Sequence, residues 1–352
     1  MKNYIISSLI LLAGLVSFSA CNGEEDLTPS GNFSPIRGGF PQGNSEYDSI
    51  INDIKKEYGV YLIYKDITEE DLNRDWVSVG TGDLYVAGYE EEREDAAWNL
   101  PESHLPYYVN YFNDYIFPNI SKDFAKSSLP VKIYMIHNLR TEPRDFGEDS
   151  IQSDKGTEET NPEKFIKLGN FDNWAISFKE EIINGSGTDA KETLKKQRCI
   201  FMIEAIKNAM DKGEITSPEE FWTGFDFSSR KDENGKEMNI MDHNDPSKEN
   251  YKYKLGFIDD INDNFGTGRM KQLWRPLETV ISCYYWEKDK YPEYNLFKAY
   301  IKNAMWLTPE EFEARYPKSL YPMLTEKYEI VVTHMKEKYG IDLQGIAYGI
   351  KE

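Results

Sequence analysis

The sequence has few histidines and cysteines, and it has too few basic residues to balance its acids. Of its 352 residues, four are histidine and three are cysteine, and 41 Lys and Arg stand against 61 Asp and Glu, giving a net charge of −20. A chain this acidic repels polyphosphates, so we expect no nucleic-acid partner. No cysteine has a second cysteine at the short spacing of structural zinc sites. Nucleophile-elbow, phosphate-loop and dinucleotide-binding glycine motifs are also absent from the sequence.

The main apolar run lies at the N-terminus and is too short to span a bilayer. Lys2 precedes about twelve apolar residues, and Phe18-Ser19-Ala20-Cys21 follows. This pattern predicts a lipoprotein signal peptide over residues 1–20. Small residues directly before a cysteine are typical of a bacterial lipobox, so Cys21 is the predicted lipidation site and its acyl chains the membrane anchor. The alternative is an ordinary cleaved signal that leaves Cys21 unmodified.

Residues 21–46 begin with acids and continue with many Pro, Gly, Ser and Asn residues. Such a segment buries too little apolar surface to offset its ordering entropy, so it is predicted to be a flexible acidic tether. The cluster Asn22-Gly23-Glu24-Glu25-Asp26 resembles the sorting signal that sends Bacteroidota lipoproteins to the outer face of the outer membrane. We therefore predict an outer membrane lipoprotein exposed at the cell surface, although the cluster also fits a plain solvated linker.

Residues 47–352 are predicted to form a single α+β domain, mainly helical with a small sheet. With 39% hydrophobic and 14% aromatic residues, the chain can build a sizeable core. Helical spacing of apolar residues predicts helices at 47–58, 106–117, 189–210, 273–285, 294–304, 308–315 and 324–339. Aromatic and β-branched runs predict strands at 60–64, 131–136 and 174–178, and the polar residues 140–163 are predicted to be a loop.

The clearest helical pattern covers residues 189–210, where Cys199, Ile203, Ile206 and Met210 form one apolar stripe. Cys199 and Cys283 are the cysteines that follow Cys21, and both lie among apolar residues on predicted helices. In an oxidising envelope, two buried thiols and one disulfide between helices both fit this placement.

A series of short motifs occurs in an order that resembles a known family. The motifs are Tyr58-Gly59-Val60 with Tyr64, Leu129-Pro130-Val131-Lys132-Ile133-Tyr134, Leu255-Gly256-Phe257, and Lys327-Tyr328-Glu329-Ile330-Val331-Val332 with Tyr339-Gly340-Ile341-Asp342-Leu343. Over residues 50–346 the chain is similar to the substrate import-associated zinc metallohydrolase lipoproteins of Bacteroidota, which are regarded as zinc-binding metallopeptidases. The resemblance implies a zincin-like fold and outer-membrane uptake components as partners.

The resemblance fails at the zinc-binding motif. In that family, a helix carries His-Glu-x-x-His, whose two imidazoles bind zinc and whose glutamate is the general base. The corresponding turn here reads Ile203-Glu204-Ala205-Ile206-Lys207, so Glu204 alone remains as a candidate catalytic residue. Ile203 has no lone pair to donate to a zinc ion. Lys207 would place a positive charge beside that ion, which is itself positively charged. We therefore predict no metal site and no cofactor.

Glu278 follows on a later predicted helix and matches the acidic third ligand that such enzymes often have. Its alternative role is that of an ordinary exposed or salt-bridged carboxylate. The pairs Glu204–Lys207 and Glu278–Arg275 are then candidate structural ion pairs.

Other potential ligands are scattered along the chain. The histidines, none within four residues of another, are His104, His137, His243 and His334. Residues 259–266 carry oxygen donors at alternate positions, as a calcium loop does, but Phe265 stands where the turn requires glycine and Lys271 where a glutamate would bind. We therefore favour a helix-capping loop, with a calcium site as the alternative. The tryptophans, which could form a sugar- or peptide-binding surface, are predicted to lie mostly in the core.

Three functions remain open at this point. The first is a non-catalytic binding or accessory component of a nutrient-uptake system, which is the function we favour because both motif histidines are missing. The second is an active hydrolase that uses different residues, with Glu204 as base. The third is a purely structural lipoprotein.

Overall fold

The computed structural model of the protein describes residues 36–73, 84–88, 98–142, 164–168, 172–186, 190–225, 245–249, 251–262, 275–276 and 292–348. By its internal contacts the chain divides into two units, Met1–Phe40 and Pro41–Glu352. In the first unit, the described residues 36–40 contain a turn in which the Gly39 amide donates to the Ile36 carbonyl oxygen at 3.1 Å. The predicted signal peptide and Cys21 lie outside the described residues.

Helices form most of the regular structure in the second unit. They are α1 (Glu46–Tyr58), α2 (Glu69–Asn73), α3 (Leu105–Asn110), α4 (Lys122–Ser128), α5 (Glu180–Ile183), α6 (Ala190–Asp211), α7 (Glu219–Trp222), α8 (Pro292–Trp306), α9 (Pro309–Arg315), α10 (Pro322–Tyr339) and α11 (Leu343–Tyr348). Helix α3 continues into a π-helical segment, Tyr111–Ile116, and a 3₁₀ turn, Phe117–Asn119. None of the helices in the described ranges has the length and apolar character needed to cross a membrane.

The strands form one four-stranded sheet and two small ribbons. They are β1 (Tyr61–Ile63), β2 (Leu84–Val86), β3 (Lys132–Met135), β4 (Arg140–Glu142), β5 (Ile166–Leu168), β6 (Asn173–Ile176), β7 (Ile261–Asn262) and β8 (Arg275–Pro276). The main sheet has the order β1-β3-β6-β5, in which β1, β3 and β6 are parallel and β5 is antiparallel to β6. Strands β2 and β4 pair antiparallel, as do β7 and β8.

These elements confirm the predicted mixture of helices with a small sheet, and they correct several details. Residues 140–163 were predicted to be a loop, but Arg140–Glu142 forms β4 by pairing with β2. Residues 273–285 were predicted to be helical, but Arg275–Pro276 pairs with β7. Such short strands cannot be predicted from the periodicity of the sequence, because hydrogen bonds to a distant strand stabilise them and local sequence does not.

The folded unit begins earlier than its predicted start at residue 47. The side chain of Gln42 accepts hydrogen bonds from the amides of Tyr64 and Lys65, at 2.8 and 3.0 Å. Helix α1 then starts at a capping box, in which Ser45 and Asp48 each accept from the other's backbone amide. The predicted tether, residues 21–46, therefore overlaps the folded unit at its C-terminal end.

Helix α6 is the central helix of the fold. Residues 197–206 are buried on every side of it, which differs from the single apolar stripe predicted from sequence. The reason is that α6 packs against several neighbours, including α4, α8 and α11. On the sheet side, Phe201 meets Trp174 of β6 edge-on, with ring centroids 5.3 Å apart. Polar side chains on this helix are consequently forced into the interior.

Candidate functional site

The turn Ile203–Lys207, which the sequence resemblance predicts to correspond to the metal-binding motif, lies in the buried middle of α6. Ile203 is 0% exposed and Glu204 is 5% exposed. Ala205 and Ile206, which complete the interior of the turn, are also fully buried. An aliphatic side chain therefore occupies the first motif position inside the core, where it offers no electron pair to a metal ion.

The charged residues of this turn bind each other. Lys207 Nζ lies 3.1 Å from Glu204 Oε1 and 3.3 Å from Oε2, so the ammonium donates to both carboxylate oxygens. The side chain of Lys207 is 29% exposed, and that of Glu204 is 7% exposed. Because the residues are three apart on the helix, this is a local pair along one face. The ion pair that the sequence suggested as an alternative to catalysis is thus present.

Several predicted residues lie outside the described part of the chain. These are Cys21, His243, Glu278 and Cys283. Cys199 is described and is a free, buried thiol, whose Sγ donates to the Met305 carbonyl oxygen at 3.2 Å. Burial raises the pKa of Cys199 to about 12, so the group remains a neutral thiol.

Two histidines that are distant in sequence lie side by side. His104 occupies the N-cap position of α3 without a side-chain capping hydrogen bond, and His137 follows β3. The centroids of the two imidazole rings are 6.5 Å apart. Nε2 of His104 lies 3.2 Å from a carboxylate oxygen of Glu180 on α5. Within the described ranges, however, no group of three or more His, Cys, Asp or Glu side chains has an arrangement that could hold a metal ion.

The segment whose oxygen donors resemble those of a calcium loop contains carboxylates that are already bound to cations of the protein. Asp259 is 2% exposed, and it forms ion pairs with Lys252 at 2.6 Å and Arg315 at 3.2 Å. The hydroxyls of Tyr253 and Tyr316 also donate to its carboxylate. Burial raises the pKa of both tyrosines, and the charge of Asp259 adds to that effect, so both hydroxyls remain protonated donors.

Asp260 is bound in the same way, since Lys302 Nζ lies 2.6 Å from its Oδ1. The same ammonium donates to the Ile261 carbonyl oxygen at 2.7 Å. A calcium ion needs carboxylate and carbonyl oxygens that are free to coordinate it. The described part of the loop, residues 259–262, is therefore a structural ion-pair network that joins the segment before β7 to α8 and α9, and the comparison with a calcium loop is wrong for these residues.

No protein-family profile matches the chain, and no curated protein matches it. Among solved structures, it is similar to a protein from Bacteroides caccae ATCC 43185 described as a "putative zinc-binding metallo-peptidase". The match covers 87% of this chain and 92% of that chain, with 10% sequence identity and a TM-score of 0.35.

Sequence analysis missed the residues that surround the charged groups of this unit. The partners of Asp259 come from positions 7 residues before it and 56 residues after it, and no local pattern links them. The pair of His104 with Glu180 spans 76 residues. One local pattern does indicate part of this region. Tyr107, Tyr111 and Tyr115 recur every four residues, which places them on one face of a helix.

Proposed function

We propose that this chain is an outer-membrane lipoprotein whose metallopeptidase-like domain binds a ligand or partner of a nutrient-uptake system without hydrolysing it. The observation that carries the proposal is the turn from Ile203 to Lys207. Its first position is a buried aliphatic residue, and its remaining acid is paired with an ammonium 3.1 Å away. The motif resemblance over residues 50–346 supports the family context.

A general base in this chemistry must act on a water molecule that a metal ion polarises. Zinc in catalytic sites takes three protein ligands and keeps one open position. Ile203 supplies no ligand, and Lys207 places a positive charge beside the carboxylate that a dication would need. Restoring a site would require two new imidazoles and the loss of this ammonium, which supports a non-catalytic function for the turn.

Metal analysis tests the catalytic half of the proposal. Residues 22–352, purified and dialysed against zinc-free buffer after saturation with zinc, are expected to retain far less than one zinc per chain. A matched variant, Ile203→His with Lys207→His, provides the comparison because it rebuilds the motif spacing. Stoichiometric zinc retained by the unmodified chain would overturn the proposal.

Hydrolysis by other residues is a separate outcome that needs its own measurement. We expect no turnover of a broad peptide panel by residues 22–352, with or without added zinc. Turnover that disappears in Glu204→Gln would instead support a hydrolase with Glu204 as base. Asp123→Asn, a change of an exposed acid on α4, controls for the loss of one charge.

The membrane anchor and surface exposure are tested in cells. Cys21→Ser is expected to release the protein from the membrane fraction, because the thiol that receives the lipid is lost. Protease added to intact cells is expected to degrade the unmodified protein. Retention of the Cys21→Ser protein in membranes, or full protection from protease, would contradict the proposed location.

A further inference from the structure

Arg198 is a buried cation without a carboxylate partner in the part of the chain that the structure describes. The residue is 5% exposed and lies on α6. Its Nε donates to the Ile346 carbonyl oxygen of α11 at 3.2 Å. The guanidinium carbon lies 4.9 Å from the ring centroid of Tyr115. Among the described residues it forms no ion pair and no other hydrogen bond, so its terminal nitrogens have no described acceptor.

This arrangement leaves the terminal guanidinium donors open to water or to a ligand, since neither terminal nitrogen is among the fully buried atoms that lack a partner. A guanidinium has five N–H donors and stays charged at every physiological pH. Removing such a charge from water costs several kcal/mol, roughly, unless an anion and further hydrogen bonds compensate it. Two other buried cations of this unit have a carboxylate partner, since Lys252 binds Asp259 and Lys302 binds Asp260. Arg198 differs from these two lysines because no described residue supplies it with a carboxylate.

The surroundings of Arg198 supply additional donors. Tyr107, Tyr111 and Tyr115 follow one face of α3 and the π-helical segment, which contacts α6 and α11. The hydroxyl of Tyr111 donates to the Gln197 carbonyl oxygen at 3.2 Å. The hydroxyls of Tyr107 and Tyr115 form no hydrogen bond with any described residue, and both residues are half-buried. Burial raises the pKa of Tyr107 to about 12, so its hydroxyl keeps its proton.

The adjacent residue shows the same lack of partners. Gln197 is buried, and its side-chain Oε1 has no hydrogen-bond partner among the described residues. This oxygen requires a hydrogen-bond donor, which a carboxylate lacks but a hydroxyl or amide elsewhere in a ligand provides. The acid nearest in sequence to Tyr115 is Asp114, and its Oδ1 accepts from Asn113 at 2.8 Å.

We propose that Arg198, together with the hydroxyls of Tyr107 and Tyr115, binds the carboxylate of a small organic ligand. A planar guanidinium can donate two parallel hydrogen bonds to one carboxylate. One cation with neutral hydroxyls matches a ligand of charge −1, whereas a phosphate dianion would leave an uncompensated negative charge. The half-buried tyrosine rings offer an apolar face to the rest of the ligand. The site is separate from the Glu204–Lys207 turn, so it does not depend on the absence of catalysis.

The carboxylate could belong to an acidic sugar or to the end of a peptide, and two probes distinguish these sources. Residues 22–352 are titrated with glucuronate, with N-acetylglycine and with inorganic phosphate by calorimetry at constant ionic strength, and the unfolding midpoint Tm is followed in parallel. We expect saturable binding and a rise in Tm for at least one carboxylate, and weaker binding of phosphate. No carboxylate binding at millimolar concentrations, or tighter binding of phosphate, would overturn the inference.

Substitutions test whether the side chains of Arg198, Tyr107 and Tyr115 bind the carboxylate. Arg198→Met, of similar length and without charge, is expected to weaken carboxylate binding by about tenfold or more, since hydrogen bonds to a charged group are lost. Tyr107→Phe and Tyr115→Phe keep the rings and are expected to weaken it severalfold at nearly unchanged Tm. Lys126→Met, an exposed change on α4, is expected to bind as the unmodified chain does. If Arg198→Met fails to fold, the two tyrosine variants decide: unchanged affinity in both would refute the site.

Discussion

Asp259 and Arg198 are both charged and almost completely buried, yet their surroundings differ. Two cations and two tyrosine hydroxyls converge on Asp259. Around Arg198, the described residues supply one carbonyl oxygen and one aromatic ring. The comparison teaches that a buried charge acquires a structural role when the chain itself compensates it. Where the described residues leave guanidinium donors unused, as at Arg198, a ligand from outside can supply the acceptors.

The Glu204–Lys207 pair is intermediate between Asp259 and Arg198 in the way its charges are paired. Its carboxylate is buried like Asp259, but its ammonium is partly exposed and comes from the same helix, three residues away. A local pair of this kind needs no tertiary contact to form. It neutralises the Glu204 carboxylate with an ammonium from the same turn.

The largest expected effect is that of Asp259→Asn. This change keeps the shape of the side chain but leaves the buried Lys252 without its counter-charge and removes the partner of Arg315. Breaking a buried ion pair on one side costs about 3–5 kcal/mol, and urea denaturation measures it as a lower free energy of unfolding. Asp123→Asn, an exposed change, is the control. A loss below about 1 kcal/mol would show that Asp259 is not structurally compensated.

The next largest effect is expected for Ile203→His. The residue is completely buried, so the imidazole enters the core with no described group placed to accept its proton, and we expect a loss above about 2 kcal/mol. Ile203→Val, which only deletes a methylene, is expected to cost about 0.5–1.5 kcal/mol. Added zinc is expected to leave the Tm of Ile203→His unchanged. A zinc-dependent recovery would mean that other ligands already face this position.

Asp48 is a buried carboxylate that accepts hydrogen bonds from the uncharged hydroxyls of Ser45 and Tyr64. Its contribution to the stability of the fold depends on pH. Burial raises the pKa of Asp48, but hydrogen bonds from Ser45 and Tyr64 outweigh this and hold the pKa below its usual value of 3.8. A pKa lowered by folding means that the ionised group stabilises the fold above pH 3.8 and loses this contribution as the pH falls through the folded-state pKa.

We expect Asp48→Asn to destabilise the protein by about 1 kcal/mol near pH 7, with a smaller difference near pH 3. Urea denaturation at both pH values measures the two differences. Asp53→Asn, a change of an exposed residue on the same helix, should show neither effect. A difference that does not shrink on acidification would contradict the assignment.

The smallest expected effect on stability is that of Arg198→Met without ligand. Replacing an uncompensated buried cation by an apolar side chain of similar length is expected to be neutral or to stabilise the fold. This result would contrast directly with the large loss for Asp259→Asn. A loss of more than about 2 kcal/mol would instead indicate that Arg198 already has a structural partner, and the comparison of the two residues would fail.

The long elements were predictable from sequence because their patterns are local. Helices at 47–58 and 308–315 have recognisable caps, Ser45 with Asp48 and Thr308 with Glu311, and the structure confirms both helices. Strands β1, β3 and β6 follow from their β-branched and aromatic residues. Strands β4, β5 and β8 were not predicted, since two or three residues are too few to establish a period.

The candidate site was predictable only in part. The absence of imidazoles at positions 203 and 207 is a property of the sequence, and the ion pair of Glu204 with Lys207 follows from their spacing of three residues. The burial of Arg198 did not follow, because a cation between Gln197 and Cys199 would normally be assigned to the exposed face of a helix. It is buried because α6 is covered by several helices at once.

The sequence alone determined which functional groups the chain possesses: a cysteine preceded by small residues at Cys21, an excess of acidic over basic residues, and no imidazole at positions 203 and 207. These features are composition and short-range order, which folding cannot change. Tertiary structure alone decided which charges are compensated, since Asp259 meets Arg315 and Arg198 meets Ile346 only after distant segments pack together. The physical reason is that the cost of a buried charge depends on what lies within a few ångströms of it in space, and chain order leaves that undetermined.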